Sequence, residues 1–210
     1  MPSLNQILRE HSPVLLLDAA SAKTQVALLG AGEPARWAAR TEEAGVALFA
    51  CLDDLGADIG SVRAFAFCEG PGSILGVRTA AIAIRAWIAL EPRPAFAYLS
   101  LAVVARAAGR PGVRAIADAR RGLWHHYAEG GPLGRAPAAE LSGELVMPEG
   151  FRHWEAPPPG AAPASYDLAA LFALPSIAGA DLFRATEAPD AFLHEEPSYA
   201  KWTPQIHRAP

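Results

Sequence analysis

A glycine-rich turn joins an apolar run to a long helical pattern, and this junction constrains the fold more than any other stretch of the chain. The apolar residues 62–67 predict a strand, and the Ala- and Ile-rich residues 74–90, which contain no Pro, predict a helix. The segment 70–72 breaks the strand, and Ser73 is suited to cap the first helical N–H groups. A strand that turns directly into a helix is typical of an α/β fold.

A Gly-rich turn that opens a helix is also a place where an anion can bind. A P-loop requires a Lys and then a Ser or Thr after its last Gly, because these residues neutralise phosphate charge and reach the metal. Here Val77 and Arg78 follow Gly76. A dinucleotide fingerprint requires Gly-x-Gly-x-x-Gly, whereas these glycines fall at 70, 72 and 76, one residue too far apart. The spacing therefore favours close packing of strand and helix over phosphate binding.

The composition describes a soluble globular protein with an ample core, since 51% of the 210 residues are apolar and 19% are charged. The net charge of −4 and the pI near 5.9 argue against independent RNA binding, which needs clustered Lys and Arg. The basic clusters, Arg120 with Arg121 and Lys201 with Arg208, are too small to change this expectation.

Cysteines and hydropathy indicate the compartment. Cys51 and Cys68 lie in apolar segments and predict buried, reduced thiols. No run reaches the roughly 18 apolar residues of a membrane span, and the first residues lack the layout of a signal peptide. We therefore expect a cytoplasmic protein with no membrane contact.

Strand and helix patterns alternate along the first half in the order βββαβαβα. Three strands are predicted at 14–17, 24–29 and 34–39, followed by a helix from Thr41 to Leu55. The remaining elements of this half are predicted at 62–67, 74–90, 95–98 and 100–108. Residues 1–12 are polar and predict an N-terminal extension, either frayed or a short helix.

Two further strand patterns, at 113–117 and 123–128, begin what looks like a second set of elements. The predicted organisation is therefore an N-terminal subdomain at 13–109 and a smaller C-terminal subdomain at 110–210. No internal sequence repeat is visible between the two.

The string Gly-Pro-Gly-Ser-x-x-Gly-x-Arg resembles the signature of the TsaB (YeaZ) family, formerly labelled glycoprotease-like. Members of that family are bacterial proteins needed to make threonylcarbamoyladenosine (t6A) at position 37 of tRNA. The matching residues are Gly70, Pro71, Gly72, Ser73, Gly76 and Arg78. Segments 14–21, 98–101, 116–122 and 196–201 are also similar to family segments in order and spacing. The resemblance covers most of residues 13–201 and is strongest from 62 to 129.

The resemblance implies a duplicated actin/Hsp70/sugar-kinase-like (ASKHA, ribonuclease H-like) α/β fold with a reduced second half. It also implies a non-catalytic scaffold that dimerises with the catalytic threonylcarbamoyl transferase (TsaD-type) and works with an associated ATPase (TsaE-type). Alone, such a chain is expected to form a homodimer, to contact tRNA only indirectly and to need no cofactor, with ATP only at a partner interface. Two alternatives stay open: a small ATP-dependent phosphotransferase of the same fold, and a self-associating binding module that has lost the tRNA role.

Three polar residues are interpreted as a vestigial nucleotide site. Asp18 ends the first strand, where kinases of the resembled architecture place an acid near metal-bound phosphates, but Ala19 and Ala20 follow it and only Ser21 offers a donor. Asp118 ends the first strand of the second half and is expected to face Asp18 across a cleft. The alternative for both acids is structural, a carboxylate that caps a turn, and the weakened turns favour it.

No residue is predicted to be catalytic or to bind a metal. His125 and His126 are adjacent, so on a strand they point to opposite faces, whereas a catalytic metal needs three convergent protein ligands. The catalytic relative of TsaB carries a His-x-x-x-His pair on its first helix, and residues 41–55 contain no His. Ser73 has no Gly-x-Ser-x-Gly elbow around it, so a helix cap is the better interpretation.

Two predicted helices have more apolar surface than one face of a sheet requires. The 74–90 helix carries two apolar stripes on a helical wheel, and the 41–55 helix behaves similarly. Neighbouring helices of the same chain are one explanation for the second stripe. The other is a protein–protein interface, which these two helices form in the resembled family. The predicted interface residues are Val46, Phe49, Ala50, Gly76, Ala80, Ala83 and Trp87.

Overall fold

The structure, a computed structural model, describes residues 1–192. The predicted segment 196–201 and the pair Lys201 and Arg208 lie outside the described residues. The α-helices are α1 Leu4–His11, α2 Ala44–Leu55, α3 Ile74–Leu90, α4 Ser100–Ala108, α5 Leu168–Phe172 and α6 Pro175–Ala178. The strands are β1 Val14–Asp18, β2 Thr24–Leu29, β3 Arg36–Arg40, β4 Ala64–Gly70, β5 Ala95–Leu99, β6 Arg114–Asp118, β7 Leu123–Ala128, β8 Gly134–Pro137, β9 Leu145–Pro148, β10 Ala162–Ala164 and β11 Phe183–Thr186.

The first sheet has six strands in the order β11-β5-β4-β1-β2-β3. Strands β1, β2 and β3 form an antiparallel meander, while β4 and β5 join the other side of β1 in parallel. Helices α2 and α3 make the crossovers on either side of β4, as parallel pairing requires. Strand β11, from the end of the described chain, closes the β5 edge in antiparallel orientation.

The second sheet repeats the strand order and the strand directions of the first, except that it has no counterpart of β11. Its order is β10-β9-β6-β7-β8, with an antiparallel β6-β7-β8 meander and β9 and β10 added in parallel. The helices are not repeated: between β8 and β9 the structure has only the 3-10 turn Ala138–Glu140, and between β9 and β10 only a loop. The mixed α/β fold that we expected is thus observed, with fewer helices in the second half.

Strand β1 lies at the centre of the molecule, and all five of its residues are buried. Its side chains alternate between two apolar clusters, one on each face of the first sheet. Leu15 and Leu17 pack with α2 and α3, whereas Val14 and Leu16 pack with α1, α4 and residues of the second half. A strand covered on both faces needs a continuous apolar run, which is what 14–17 provides.

Two sequence-based expectations need correction at the ends of elements. Helix α2 begins at Ala44 instead of Thr41, because β3 stays paired to β2 through Arg40 and leaves residues 41–43 for the turn. The segment 1–12 contains α1, whose Leu4 and Ile7 are buried in the core, so the short helix is observed and it packs onto the fold instead of extending from it.

Candidate functional site

The signature turn is closed against the end of β1. Gly72 has a φ of +152°, and a Cβ on it would collide with the carbonyl oxygen of Ala20. A Cβ on Gly76 would collide with the carbonyl oxygen of Ala19. The Ser73 N–H donates to the Ala20 carbonyl (2.7 Å), and the Ser73 hydroxyl accepts from the Gly76 N–H (3.4 Å). The glycines therefore serve close packing of the α3 N-terminus, and Ser73 is the helix cap.

Asp18 is completely buried and holds three parts of the chain together. Its Oδ2 accepts hydrogen bonds from the hydroxyls of Tyr98 (2.6 Å) on β5 and Tyr166 (2.7 Å) before α5, and its Oδ1 accepts from the Ala20 N–H (2.9 Å). Burial raises the pKa of Asp18 above its ordinary value, and these hydrogen bonds only partly offset the shift. Burial also raises the pKa of both tyrosines, which keeps their hydroxyls protonated as donors.

The structure does not bring the three predicted nucleotide-site residues into one cavity. Asp18 lines neither of the two cavities at this edge of the sheets. Ser21 lines a small cavity of about 180 Å³ beside Ser73, and its hydroxyl donates to the Lys23 carbonyl (2.8 Å). Asp118 lines a separate cleft of about 520 Å³ between the α3 turn and the second sheet. The expectation that Asp18 and Asp118 face each other across a cleft is wrong, because Asp18 is enclosed by the two tyrosines.

Asp118 anchors a loop to the end of β6. Its Oδ1 accepts from the Arg120 N–H (2.5 Å), and its Oδ2 accepts from the N–H groups of Trp154 (2.6 Å) and Glu155 (3.2 Å). Desolvation acts to raise the pKa of Asp118, but the backbone hydrogen bonds outweigh it and lower the pKa below its ordinary value. The carboxylate therefore caps a turn, which is the structural alternative, and its oxygens are occupied by amides.

Helices α2 and α3 pack against each other and begin at the same edge of the first sheet. Four of the predicted interface residues are directed inward: Gly76, Ala80 and Ala83 are buried, and Trp87 is half-buried and stacked on Phe65 with 5.5 Å between ring centroids. The prediction that these four residues form a partner interface is wrong, because the first sheet and the turn after β1 already cover them.

The same two helices also carry large apolar side chains that are exposed. Four of them are more than half exposed, with fractions between 55% and 75%. We call this surface the apolar helix face; its residues are Val46, Phe49, Leu75 and Ile82. Val46 and Phe49 were predicted for an interface, and the half-buried Ala50 lies next to them.

The sequence contains a signal for the missed residue Ile82. It lies four residues after Arg78 and three before Arg85, so on a helix it is placed between two side chains that mark the solvent edge. Both arginines are exposed in the structure. A large aliphatic side chain between exposed arginines is therefore better evidence for an interface than a stripe of alanines, which also fits a buried helix face.

Three further expectations concern metal ligands, cysteines and membrane-spanning helices. Within residues 1–192 there is no group of three or more His, Cys, Asp or Glu side chains able to hold a metal ion. Cys51 and Cys68 are free, buried thiols, as predicted. Among the helices of the described part, none is both long and apolar enough to span a membrane.

The fold that carries these features is known from solved structures. YeaZ from Pseudomonas aeruginosa matches with a TM-score of 0.58 at 24% identity, over 78% of this chain and 90% of its own. The chain has the YeaZ fold. A second structure, titled as an uncharacterized protein with similarity to peptidase YeaZ from Pseudomonas aeruginosa, matches with a TM-score of 0.58 at 23% identity, over 90% of this chain and 100% of its own. No family model matches the chain, and no curated protein does.

Proposed function

We propose that this chain is a TsaB-type subunit, a non-catalytic scaffold that pairs in the cytoplasm with a catalytic threonylcarbamoyl transferase and its ATPase to modify adenosine 37 of tRNA. The signature string at 70–78 and the YeaZ fold support the family assignment. The repeated strand order supports a duplicated ASKHA fold with a reduced second half. The apolar helix face is the observation that carries the scaffold role.

The apolar helix face has the character of an unfilled interface. Transfer of an aliphatic or aromatic side chain from water to a partner surface contributes about 1.5–3 kcal/mol, so Val46, Phe49 and Ile82 together supply a strong driving force for association. Arg78 and Arg85 flank the face and make no ion pair with any residue of 1–192. An apolar centre with a charged rim is the usual layout of a protein–protein interface. A second copy of the chain is the proposed occupant when the transferase is absent.

The state of Asp18 argues against a phosphotransferase. That reaction requires a carboxylate that reaches Mg·ATP, whereas both oxygens of Asp18 are buried and hydrogen-bonded. We therefore expect no release of ADP from Mg·ATP by the isolated chain, and we propose that ATP used by the complex binds at a partner interface. Turnover that is lost in an Asp18→Asn variant would support the phosphotransferase instead.

Complementation tests the proposed function. Expressed in a bacterium depleted of its own TsaB, the chain is expected to restore threonylcarbamoyladenosine in tRNA, measured by mass spectrometry of nucleosides. The Phe49→Glu variant is expected to fail, because it places a charge in the apolar helix face. Leu174→Glu, which alters an exposed leucine beside α6, is the matched control and is expected to succeed. Unmodified tRNA in the presence of folded wild-type chain would contradict the proposal.

A further inference from the structure

One cavity of the described chain is a cleft lined by arginines. It has a volume of about 520 Å³ and lies between the turn that opens α3 and the end of β6. This volume is in the range of small-molecule sites, which is about 300–1,000 Å³. We call it the arginine cleft; the basic residues in its wall are Arg120, Arg121, Arg135 and Arg152.

The arginine cleft is basic in a protein that is acidic overall. The net charge of the chain is −4, yet four of its 18 Lys and Arg residues line this one cavity. Two carboxylates also line it, and both are engaged elsewhere: Glu69 pairs with Arg184 (2.7 Å), and Asp118 accepts three backbone N–H groups. The four arginines of the wall therefore outnumber its two carboxylates.

Two of the guanidinium groups are available for a ligand. Arg121 and Arg152 are exposed, and neither forms an ion pair or a side-chain hydrogen bond with another residue of 1–192. The guanidinium carbon of Arg120 lies 4.2 Å from the ring centroid of Trp154, and this cation–π contact orients the Arg120 side chain. Guanidinium groups bind phosphate oxygens in pairs of parallel hydrogen bonds, so clustered arginines are typical of phosphate recognition.

The turn that carries Arg120 and Arg121 has an unusual backbone. Both residues have a positive φ, +64° and +56°, a conformation that long side chains rarely adopt. The Asp118 carboxylate holds this turn through the Arg120 N–H. A conformation of this kind persists only where surrounding contacts impose it, and here those contacts place two arginines in the wall of one cavity.

We propose that the arginine cleft binds the phosphate groups of a nucleotide-sized ligand directly through arginine side chains, without a metal ion. The N-terminus of α3, a 17-residue helix whose dipole favours an anion, also lines the cleft. Trp154, which is 61% exposed, also lines the cleft, and the part of its ring that Arg120 does not cover offers an aromatic surface to a base. The phosphate comes from one of two sources, a free nucleotide or the backbone of tRNA.

Calorimetry with ADP and with inorganic pyrophosphate, both in EDTA, tests the free-nucleotide source. Saturable binding is expected for the wild-type chain, and the Arg121→Ala/Arg152→Ala variant is expected to bind at least about tenfold more weakly, because charge-assisted hydrogen bonds are lost. Arg63→Ala is the matched control: Arg63 is exposed and precedes β4, away from the cleft. Because the substituted side chains are exposed, all variants are expected to melt like the wild type.

Fluorescence anisotropy with unmodified tRNA tests the second source with the same variants. Binding that is weakened by the double substitution and kept by Arg63→Ala supports the proposal. If ADP binds in this way, the source is a free nucleotide; if tRNA binds and ADP does not, the source is the tRNA backbone. No saturable binding of any probe, or equal binding by the double variant, overturns it. Leu75 of the apolar helix face also lines the arginine cleft, but Arg121 and Arg152 are not part of that face, so the double substitution tests the cleft without altering the proposed scaffold surface.

Discussion

The Gly76→Ala variant tests whether Gly76 is needed for close packing. Its free energy of unfolding should fall if the packing is tight and should rise if only helix propensity matters. Gly76 lies in the first turn of α3, where helix propensity alone favours Ala by roughly 0.5–1 kcal/mol. The new Cβ, however, would collide with the carbonyl oxygen of Ala19, which is backbone and cannot rotate away. Overpacking of this kind costs about 1–3 kcal/mol, so a net loss of about 1–2 kcal/mol is expected.

Gly45→Ala is the matched control, because Gly45 also lies in the first turn of a helix, α2, and a Cβ on it would meet nothing within 4 Å. This variant is expected to gain roughly 0.5–1 kcal/mol. Urea denaturation followed by circular dichroism measures both free energies of unfolding. A Gly76→Ala variant that is as stable as Gly45→Ala would refute the close-packing explanation of the signature.

The buried hydrogen-bond cluster gives two further predictions. Tyr166→Phe removes one donor to the Asp18 carboxyl group and is expected to cost about 1–3 kcal/mol of stability, measured by urea denaturation; an unchanged midpoint would show that the bond contributes nothing. The pKa of Asp18 is raised in the folded state, so its protonated form contributes to the free energy of unfolding. This contribution is fully present below the ordinary pKa of 3.8 and is lost as the pH rises through the folded pKa. The stability difference between wild type and Asp18→Asn should therefore shift in favour of Asn on raising the pH from 3.8, and a pH-independent difference would contradict the direction of the shift.

The first half of the fold was predictable because its local patterns agree with its packing. Helix α3 has the predicted bounds, because Ser73 caps its first turn and no Pro interrupts the sequence as far as Leu90. Strand β1 is buried on both faces and was therefore visible as an apolar run. In the second half, β8 and β10 are three or four residues long and contain Pro, so no periodicity could reveal them.

The environment of the candidate sites could not be predicted, because it depends on contacts between distant residues. The hydroxyls that enclose Asp18 come from positions 80 and 148 residues away, and no local pattern connects them. The inward direction of Ala80 and Ala83 was equally hidden, since alanine suits both a buried helix face and a close helical interface. What the signature string does indicate locally, a tight strand-to-helix turn, is what the structure contains.

The most direct test of the scaffold role is the molar mass of the complex with the catalytic threonylcarbamoyl transferase, measured by size-exclusion chromatography with light scattering. The wild-type chain and Leu174→Glu are expected to co-elute with the transferase, while Ile82→Glu, whose site is 62% exposed and so leaves the monomer folded, is expected to elute separately. Addition of the ATPase and tRNA should not rescue Ile82→Glu. If the wild-type chain forms no complex with the transferase, even with ATPase and tRNA present, the scaffold role is contradicted. If Ile82→Glu forms a complex of normal mass, the placement of the interface on the apolar helix face is contradicted.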